Sequence, residues 1–352
     1  MKSYDLIRFG ERIEVRDRPD PVPAGTEVLL RVRRCGVCHS DLHLRAGYFD
    51  LGEDGQFKVA DRGMELPMAM GHEVLGEVIS AGPDAPEAPI GRTMLVNPWI
   101  GCGTCRACRA DRENDCAKMN PIGILRDGGY ASHVIVPHPR FLVDVEGLDL
   151  SEVTPYACSG VTVFNALKKA LPVHGDETLA IMGAGGLGLN AVALAKAMGA
   201  PRIVSVDIDN AKLAVARQMG ADGVVNSASS ENALKDLQTL AEGRLLAVVD
   251  TVGHPDTARL AITALAKTGR YVVVGLFGGT LKIPLPWLPQ KALTIQGSFV
   301  GSAQDLRELI DLVRGGKVKP LPTEERPLAE VNQALDDLEA GRVTGRVVLT
   351  ND

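Results

Sequence analysis

Residues 34–43, RCGVCHSDLH, place two cysteines three apart and follow them at once with a serine and two histidines. Cysteines at this spacing make redox dithiols or half of a zinc site, whereas a serine and a histidine just beyond can pass protons. A second cluster, CGTCRACRADRENDC, sets Cys102, Cys105, Cys108 and Cys116 in C-x2-C-x2-C-x7-C spacing, in a Gly/Arg/Asp-rich stretch with no core of its own. Four thiolates in such a loop close tetrahedrally on one zinc, and closed sites of that kind are structural. The rival, an iron–sulfur cluster, has a shorter last spacing ending in Cys-Pro; here seven residues intervene and alanine follows.

Three cysteines remain, Cys35, Cys38 and Cys158. A catalytic zinc takes three protein ligands and keeps a fourth position for water or substrate, so three thiols plus a histidine would close the site. One thiol must therefore stay out. The expected nitrogen ligand is His72 in MGHEVLGEV, where glycines on either side and a β-rich pattern predict a loop entering a strand. No second histidine follows to make the H-E-x-x-H of a metalloprotease. Residue types alone leave Cys35 and Cys38 open; the closeness of Ser40 and His43 leans toward Cys38.

A different chemistry is written in IMGAGGLG, where Gly183, Gly185 and Gly188 stand in G-x-G-x-x-G spacing after an apolar strand and before an apolar helix. Together with Gly186 and Leu187 they make a tight turn that lets backbone approach a pyrophosphate at a helix N-terminus. The next strand ends at Asp207, nineteen residues after Gly188. A carboxylate there accepts adenosine ribose hydroxyls and repels a 2′-phosphate, which predicts NAD rather than NADP, the more so because Ile208 follows instead of arginine.

These residues must be held by two kinds of architecture. Up to about residue 150 the chain reads as short strands broken by Gly and Pro, including EVLLRVRRC, EVLGEVISAG, RTMLVNPWI, ASHVIVP and FLVDV. Beyond it, strand, glycine turn and Ala/Leu-rich helix alternate, which implies a doubly wound parallel sheet. Helices are expected over 255–267, 303–315 and 328–340, a last strand at GRVVLT, and loops over 227–230 and in IPLPWLP. The C-terminal piece is too short for a domain and is expected to return to the first one.

The chain's 352 residues allow two domains, and 44 acidic against 38 basic residues advertise neither nucleic acid nor an anionic membrane as partner. Charges at positions 2, 5, 8 and 11 leave no apolar leader, and no apolar run reaches membrane length, so a cytoplasmic setting is expected. Clustered cysteines in a reducing compartment point to metal or catalysis before disulfides.

GVCHSDLH, GHEVLGEV, the four-cysteine lobe, ACSGVTVFNAL and GAGGLG together resemble, in order, the zinc-dependent medium-chain alcohol dehydrogenases, over essentially the whole chain. The resemblance implies a mainly-β GroES-like catalytic domain over 1–159 and 300–352, with a structural-zinc lobe at about 97–117, and a Rossmann NAD-binding domain over 160–299. It implies two zincs per subunit, the catalytic one on Cys38, His72 and Cys158. Cys35 then becomes a buried small residue, Glu73 a carboxylate beside the metal, and Asp41 the acid that fixes the ligand histidine's tautomer.

The same resemblance assigns Ser40 and His43 to a proton relay from the alcohol to solvent. It gives His39 and Arg346 to the pyrophosphate, Lys212 to the adenosine ribose, Thr162 to the nicotinamide, and Val274, Leu276 and Ser298 to the carboxamide. Trp99, Tyr48, Leu276 and Phe299 become walls of the substrate pocket. The expected substrate is a small alcohol, aldehyde or ketone, and the expected assembly a homodimer or homotetramer. Polyol or threonine dehydrogenases of the same superfamily are the alternative; a zinc-free quinone-reductase-like or crystallin-like protein would lack the ligands present here. The charged stretch between His43 and His72 is longer than in many relatives, so it can fold over the cleft mouth, and substrate choice is not carried across it.

Overall fold

The computed structural model describes residues 1–351. Strand Val28–Gly36, VLLRVRRCG, buries its apolar positions and turns arginines outward, as a strand with one face on a core does. It pairs antiparallel along its whole length with Glu73–Ala81, and along its other edge first with His133–Val136 and then with the C-terminal strand Arg346–Thr350. The whole seven-stranded sheet also takes in Thr93–Val96, Leu142–Asp144 and Thr323–Pro327. The last residues of the chain thus return to the first sheet, and Arg346 arrives beside Gly36 and Glu73.

The second sheet has six parallel strands in the order Gly223–Asn226, Ile203–Asp207, Thr178–Met182, Leu245–Asp250, Arg270–Val273, Thr294–Gly297. That is the doubly wound Rossmann order with its switch point beside Thr178–Met182. All five residues of TLAIM are buried, because helices cover both faces of a parallel sheet. Helix Gly186–Ala197 starts directly after the turn. A Cβ on Gly188 would lie 1.8 Å from the Gly183 carbonyl, so only glycine lets the helix pack this close to the strand. Helix Asn210–Met219 begins at Asp209, whose carboxylate accepts from Ala211 N–H at 2.7 Å, and ends at Gly220, φ 118°.

Several element boundaries differ from the sequence reading. Helix Pro255–Ala264 stops three residues before the expected end, since Thr268 is at φ 67° and Gly269 follows it in the turn. IPLPWLP is not all loop. Its last residues open the short helix Trp287–Lys291, which the prolines permit because they fall at or near its first turn. Strand Thr294–Gly297 and helix His39–Ala46 are additional elements, whose short sequences carry no strong period. No helix among the described residues is long and apolar enough to cross a membrane.

Candidate active site

Helix His39–Ala46 begins where strand Val28–Gly36 ends, and the turn between them presents Cys38. Asp41 accepts from the Cys38 N–H at 2.9 Å and so caps the helix that it belongs to. The helix stops at Gly47, φ 88°, where the Phe9 ring leaves no room for a side chain. His72 lies in the loop before strand Glu73–Ala81, and Cys158 precedes helix Ser159–Ala170. Three separate elements thus converge: the ligand atoms of Cys38, His72 and Cys158 all lie within 4.8 Å of one another, and all three residues are buried.

This donor set fits a zinc. The Cys38 and Cys158 sulfurs are 3.9 Å apart, and two sulfurs at tetrahedral angles on a zinc stand about 3.8 Å apart at Zn–S bonds of about 2.3 Å. Neither ring nitrogen of His72 has a hydrogen-bond partner although the side chain is fully buried. Its Nδ1 is 3.3 Å from the equally buried Asp41 Oδ1, which leaves Nε2 as the lone pair for a cation. The neighbouring Cys158 thiol, and after it the His72 imidazole, hold the Cys38 thiol well below its ordinary pKa against the opposing effect of burial. A thiolate is the form a metal binds. Cys35 is buried at the end of its strand, its pKa pushed up by burial, and it stands outside this group.

Glu73 stands outside this group of three. Its carboxylate accepts from the Arg346 guanidinium and from Ser159 N–H, in space left free by Gly36. Burial raises its pKa while the Arg346 charge pulls it down. Arg346, itself buried, packs its side chain against Gly186 at the start of helix Gly186–Ala197, so it links the metal group to the nucleotide turn.

The four-cysteine lobe is also assembled. Cys105 and Cys108 sulfurs are 3.5 Å apart and Cys102 and Cys108 3.9 Å. Backbone N–H groups of Cys102 and Lys118 point at the Cys116 sulfur, at 3.4 and 3.3 Å. Hydrogen bonds from the Thr104 backbone and hydroxyl bring Cys102 down to about 5, whereas burial pushes Cys108 up to about 12. Four converging sulfurs with amide donors are the arrangement a structural zinc needs.

A cleft of about 870 Å³ runs from the metal group to the second sheet. Its walls include Cys38, His39, Ser40, His43, Trp99, Thr162, Gly185, Gly186, Leu187, Gly188, Asp207 and Lys212, and further on Val274, Leu276, Ser298, Phe299 and Arg346. At the turn, Gly183 has φ 92° and a Cβ on Gly185 would meet no protein atom, leaving a path for pyrophosphate to the helix N-terminus. The Asp207 carboxylate accepts from Ala184, Ile208 and Asp209 N–H groups, which fixes it at the end of its strand. Thr162 Oγ1 is buried in the cleft with no partner, a polar group awaiting a ligand. These features fit a dinucleotide.

Trp99 donates to the Ala157 carbonyl at 3.1 Å, and its ring lies 5.7 Å from His72 and 6.1 Å from Phe299. Tyr48 requires correction: it is exposed and does not line the cleft, whereas Phe49 does, stacking on His43 at 4.9 Å. In a strand successive side chains face opposite ways, so the inward residue is the neighbour.

The comparisons with known proteins agree with this geometry. Residues 24–147 match the alcohol dehydrogenase GroES-like domain and residues 186–315 the zinc-binding dehydrogenase family. An NAD-dependent alcohol dehydrogenase of Sulfurisphaera tokodaii is 37% identical over 99% of both chains. The chain belongs to the zinc-type medium-chain alcohol dehydrogenases. The solved alcohol dehydrogenase of Aeropyrum pernix superimposes with a TM-score of 0.90 at 30% identity, covering 100% of both chains. An acetophenone reductase of Geotrichum candidum, solved with NAD, gives 0.85 at 31% identity, covering 99% of this chain and 97% of the other. Like its relatives, this alcohol dehydrogenase is an oxidoreductase that works with NAD and passes hydride reversibly between it and an alcohol.

Some residues of this dehydrogenase's site carried no readable signal. Tyr130 O–H donates to Asp41 at 2.8 Å and completes the support behind His72. Lys169 donates to Ser298 Oγ at 2.9 Å. Asn165 donates to the Val300 carbonyl at 2.6 Å, and Asn114, from the four-cysteine lobe, to the Phe299 carbonyl at 3.3 Å. These pairs are far apart in sequence and made of common residue types, so only the fold brings them together.

Proposed function

We propose that Cys38, His72 and Cys158 hold the catalytic zinc and that Cys102, Cys105, Cys108 and Cys116 hold a second, structural one. The observation that carries the first assignment is the convergence of two sulfurs and a buried imidazole whose Nε2 has no partner at the wall of the cleft opposite the 183–188 turn. When bound there, zinc acts as a Lewis acid that lowers the pKa of an alcohol hydroxyl, and NAD takes the hydride.

The chain's own residues then position and deprotonate. Ser40 Oγ, 3.8 Å from Cys38 Sγ, accepts the hydroxyl proton. His43 sits one helical turn on, at i+3 from Ser40 and so on the same face, and hands the proton to solvent. Trp99, Phe49 and Phe299 exclude water and favour an apolar substrate end, which supports primary and secondary alcohols over polyols. Asp207 and Lys212 hold the adenosine ribose, and Arg346 sits over Gly186 where the pyrophosphate arrives.

Sheet membership supports a division into 1–159 plus 300–352 and 160–299. Strand Thr294–Gly297 is an edge with all four residues exposed, and Leu285 is exposed near it, which supports a homodimer or homotetramer. Seven free cysteines suit a reducing, cytoplasmic setting. Metal analysis combined with NADH absorbance over primary, secondary, aromatic and polyol alcohols tests the reading. Two zincs per chain and turnover of apolar alcohols are expected; a chain that binds one zinc and oxidises none of them would overturn it.

A further inference from the structure

The charged segment between His43 and His72 has a fixed place in the structure. Strands Tyr48–Asp50 and Gln56–Lys58 form a hairpin, and Val59 N–H bonds the Gly47 carbonyl at 3.0 Å. At the hairpin tip, Glu53 pairs with Lys282 at 2.5 Å, and its N–H donates to Thr280 Oγ1 at 3.2 Å. The close approach of Gly52 to Gly279, where a Cβ would lie 2.8 Å from backbone atoms, shows the two segments in direct contact. The hairpin therefore crosses from the first sheet to the loop that follows Leu276 and Phe277. It forms one wall of the cleft.

That wall presents one cation. The turn Val59–Arg62 buries Val59, and Met64 beyond it, while Arg62 reaches the cleft with its guanidinium 5.2 Å from the Phe57 ring centre. The other charges of the cleft are accounted for. Glu339 pairs with Arg45, Arg346 with Glu73 and Asp115 with Arg112. Asp207 is held by backbone N–H groups, and Lys212 follows it at the adenosine end. Among the described residues Arg62 has no carboxylate partner.

We infer that Arg62 is a specificity-determining residue that selects alcohols and aldehydes bearing a carboxylate at the end remote from the reacting carbon; this rests on the alcohol dehydrogenase reading of the cleft. In an otherwise apolar wall of Phe49, Val59 and Met64, a single fork of N–H donors sets the orientation of a long substrate, and its planar geometry matches a two-oxygen anion. A monoanion fits better than a phosphate dianion. The same segment carries Asp50, Glu53, Asp54, Asp61 and Glu65 against Arg45, Lys58 and Arg62, and that negative balance repels a second added charge. The cation–π seat on Phe57 fixes the guanidinium without neutralising it.

The test compares ω-hydroxy carboxylates with their methyl esters at matched chain length, in the zinc-loaded wild type, Arg62→Met and Arg62→Lys. A ratio of kcat/KM favouring the acid by about fivefold, carried by KM and shrinking with added salt, is expected, the upper range for a solvent-exposed ion pair. Arg62→Met brings the ratio to near one, and Arg62→Lys keeps part of it. Since Arg62 is exposed, the variants are expected to retain the fold, and equal zinc content checks this. Esters oxidised as well as acids by the wild type, or an acid preference that survives Arg62→Met, overturns the assignment of Arg62 alone. Failure to oxidise either partner overturns the alcohol dehydrogenase reading together with it.

Discussion

Asp41 Oδ1 and His72 Nδ1 face each other at 3.3 Å with both side chains fully buried. Carboxylate and imidazole so placed fix which ring nitrogen keeps a lone pair, and the second Asp41 oxygen is held by Tyr130 O–H and Cys38 N–H. Asp41→Asn removes the charge but keeps the size. Zinc affinity at this site is expected to fall by about 10- to 100-fold, as for other partners of metal-bound histidines. Competition with a zinc chelator measures it; unchanged zinc retention would mean that Asp41 only caps its helix.

The choice between the two cysteines of 34–43 has a direct test. Cys38→Ser is expected to halve the zinc per chain and abolish turnover, because the remaining two donors cannot close the site. Cys35→Ser, outside the cluster, is expected to keep both zincs and the activity, at a stability cost of about 1 to 3 kcal/mol for burying a hydroxyl. Elemental analysis of the two purified variants decides, and the opposite pattern would exchange the roles of the two residues.

Asp207 stands at the end of its strand with Ile208 beside it rather than an arginine. Asp207→Ala is expected to raise KM for NAD by about tenfold or more, one lost charged hydrogen bond, while KM for NADP falls or holds. The carboxylate also ties Ala184 N–H, so the change loosens the turn as well, which adds to the NAD effect alone. Equal efficiency with both cofactors in the wild type would remove this role.

The wall of the cleft at Ser298–Val300 depends on residues remote from it. Val300 has φ 36°, a left-handed conformation that costs a β-branched residue about 1 to 3 kcal/mol, and Asn165 and Asn114 hold the carbonyls of Val300 and Phe299. Asn165→Ala is expected to let this strained segment relax. Ser298 and Phe299 then move together, so KM for both NAD and alcohol rises by several-fold while zinc content stays at the wild-type level. A KM change confined to one of the two would show that Ser298 and Phe299 are held independently.

What the sequence made legible were features whose chemistry is local. The 183–188 turn and the four-cysteine lobe are each defined within a few residues by spacing, and the parallel sheet follows from strands and helices that alternate along the chain. Tyr130 behind Asp41, or Lys169 on Ser298, depends on segments brought together across the fold, and neither residue type is unusual. The exchange of Tyr48 for Phe49 has another cause. Both are aromatic, and which faces inward is set by the register of a three-residue strand too short to show alternation. Arg62 is not legible because an arginine in a charged stretch has the pattern of a solvated side chain, and only the fold sets it against the cleft.

The proposed relay makes His43 the source of the pH dependence. Burial lowers its pKa below the ordinary imidazole value; the nearby His39 ring, 5.6 Å away, adds to this, and the Cys38 charge opposes it. The ring is covered by Phe49, stacked at 4.9 Å. To take up a proton from the Ser40 side, His43 must be neutral. Alcohol oxidation therefore rises with pH through the His43 pKa and then levels, and because that pKa is depressed, the acid limb of kcat/KM is expected below about 6.5. Phe49→Ala exposes the ring and lets water stabilise its charged form, so the limb moves up toward the ordinary value. His43→Ala is expected to lower kcat/KM by ~100-fold, the lower end for acid–base catalysis, and to remove that limb. Profiles recorded at saturating NAD check all three. A limb that stays in place in both variants belongs to another group, and the relay would then have to leave the cleft by a route that does not pass His43.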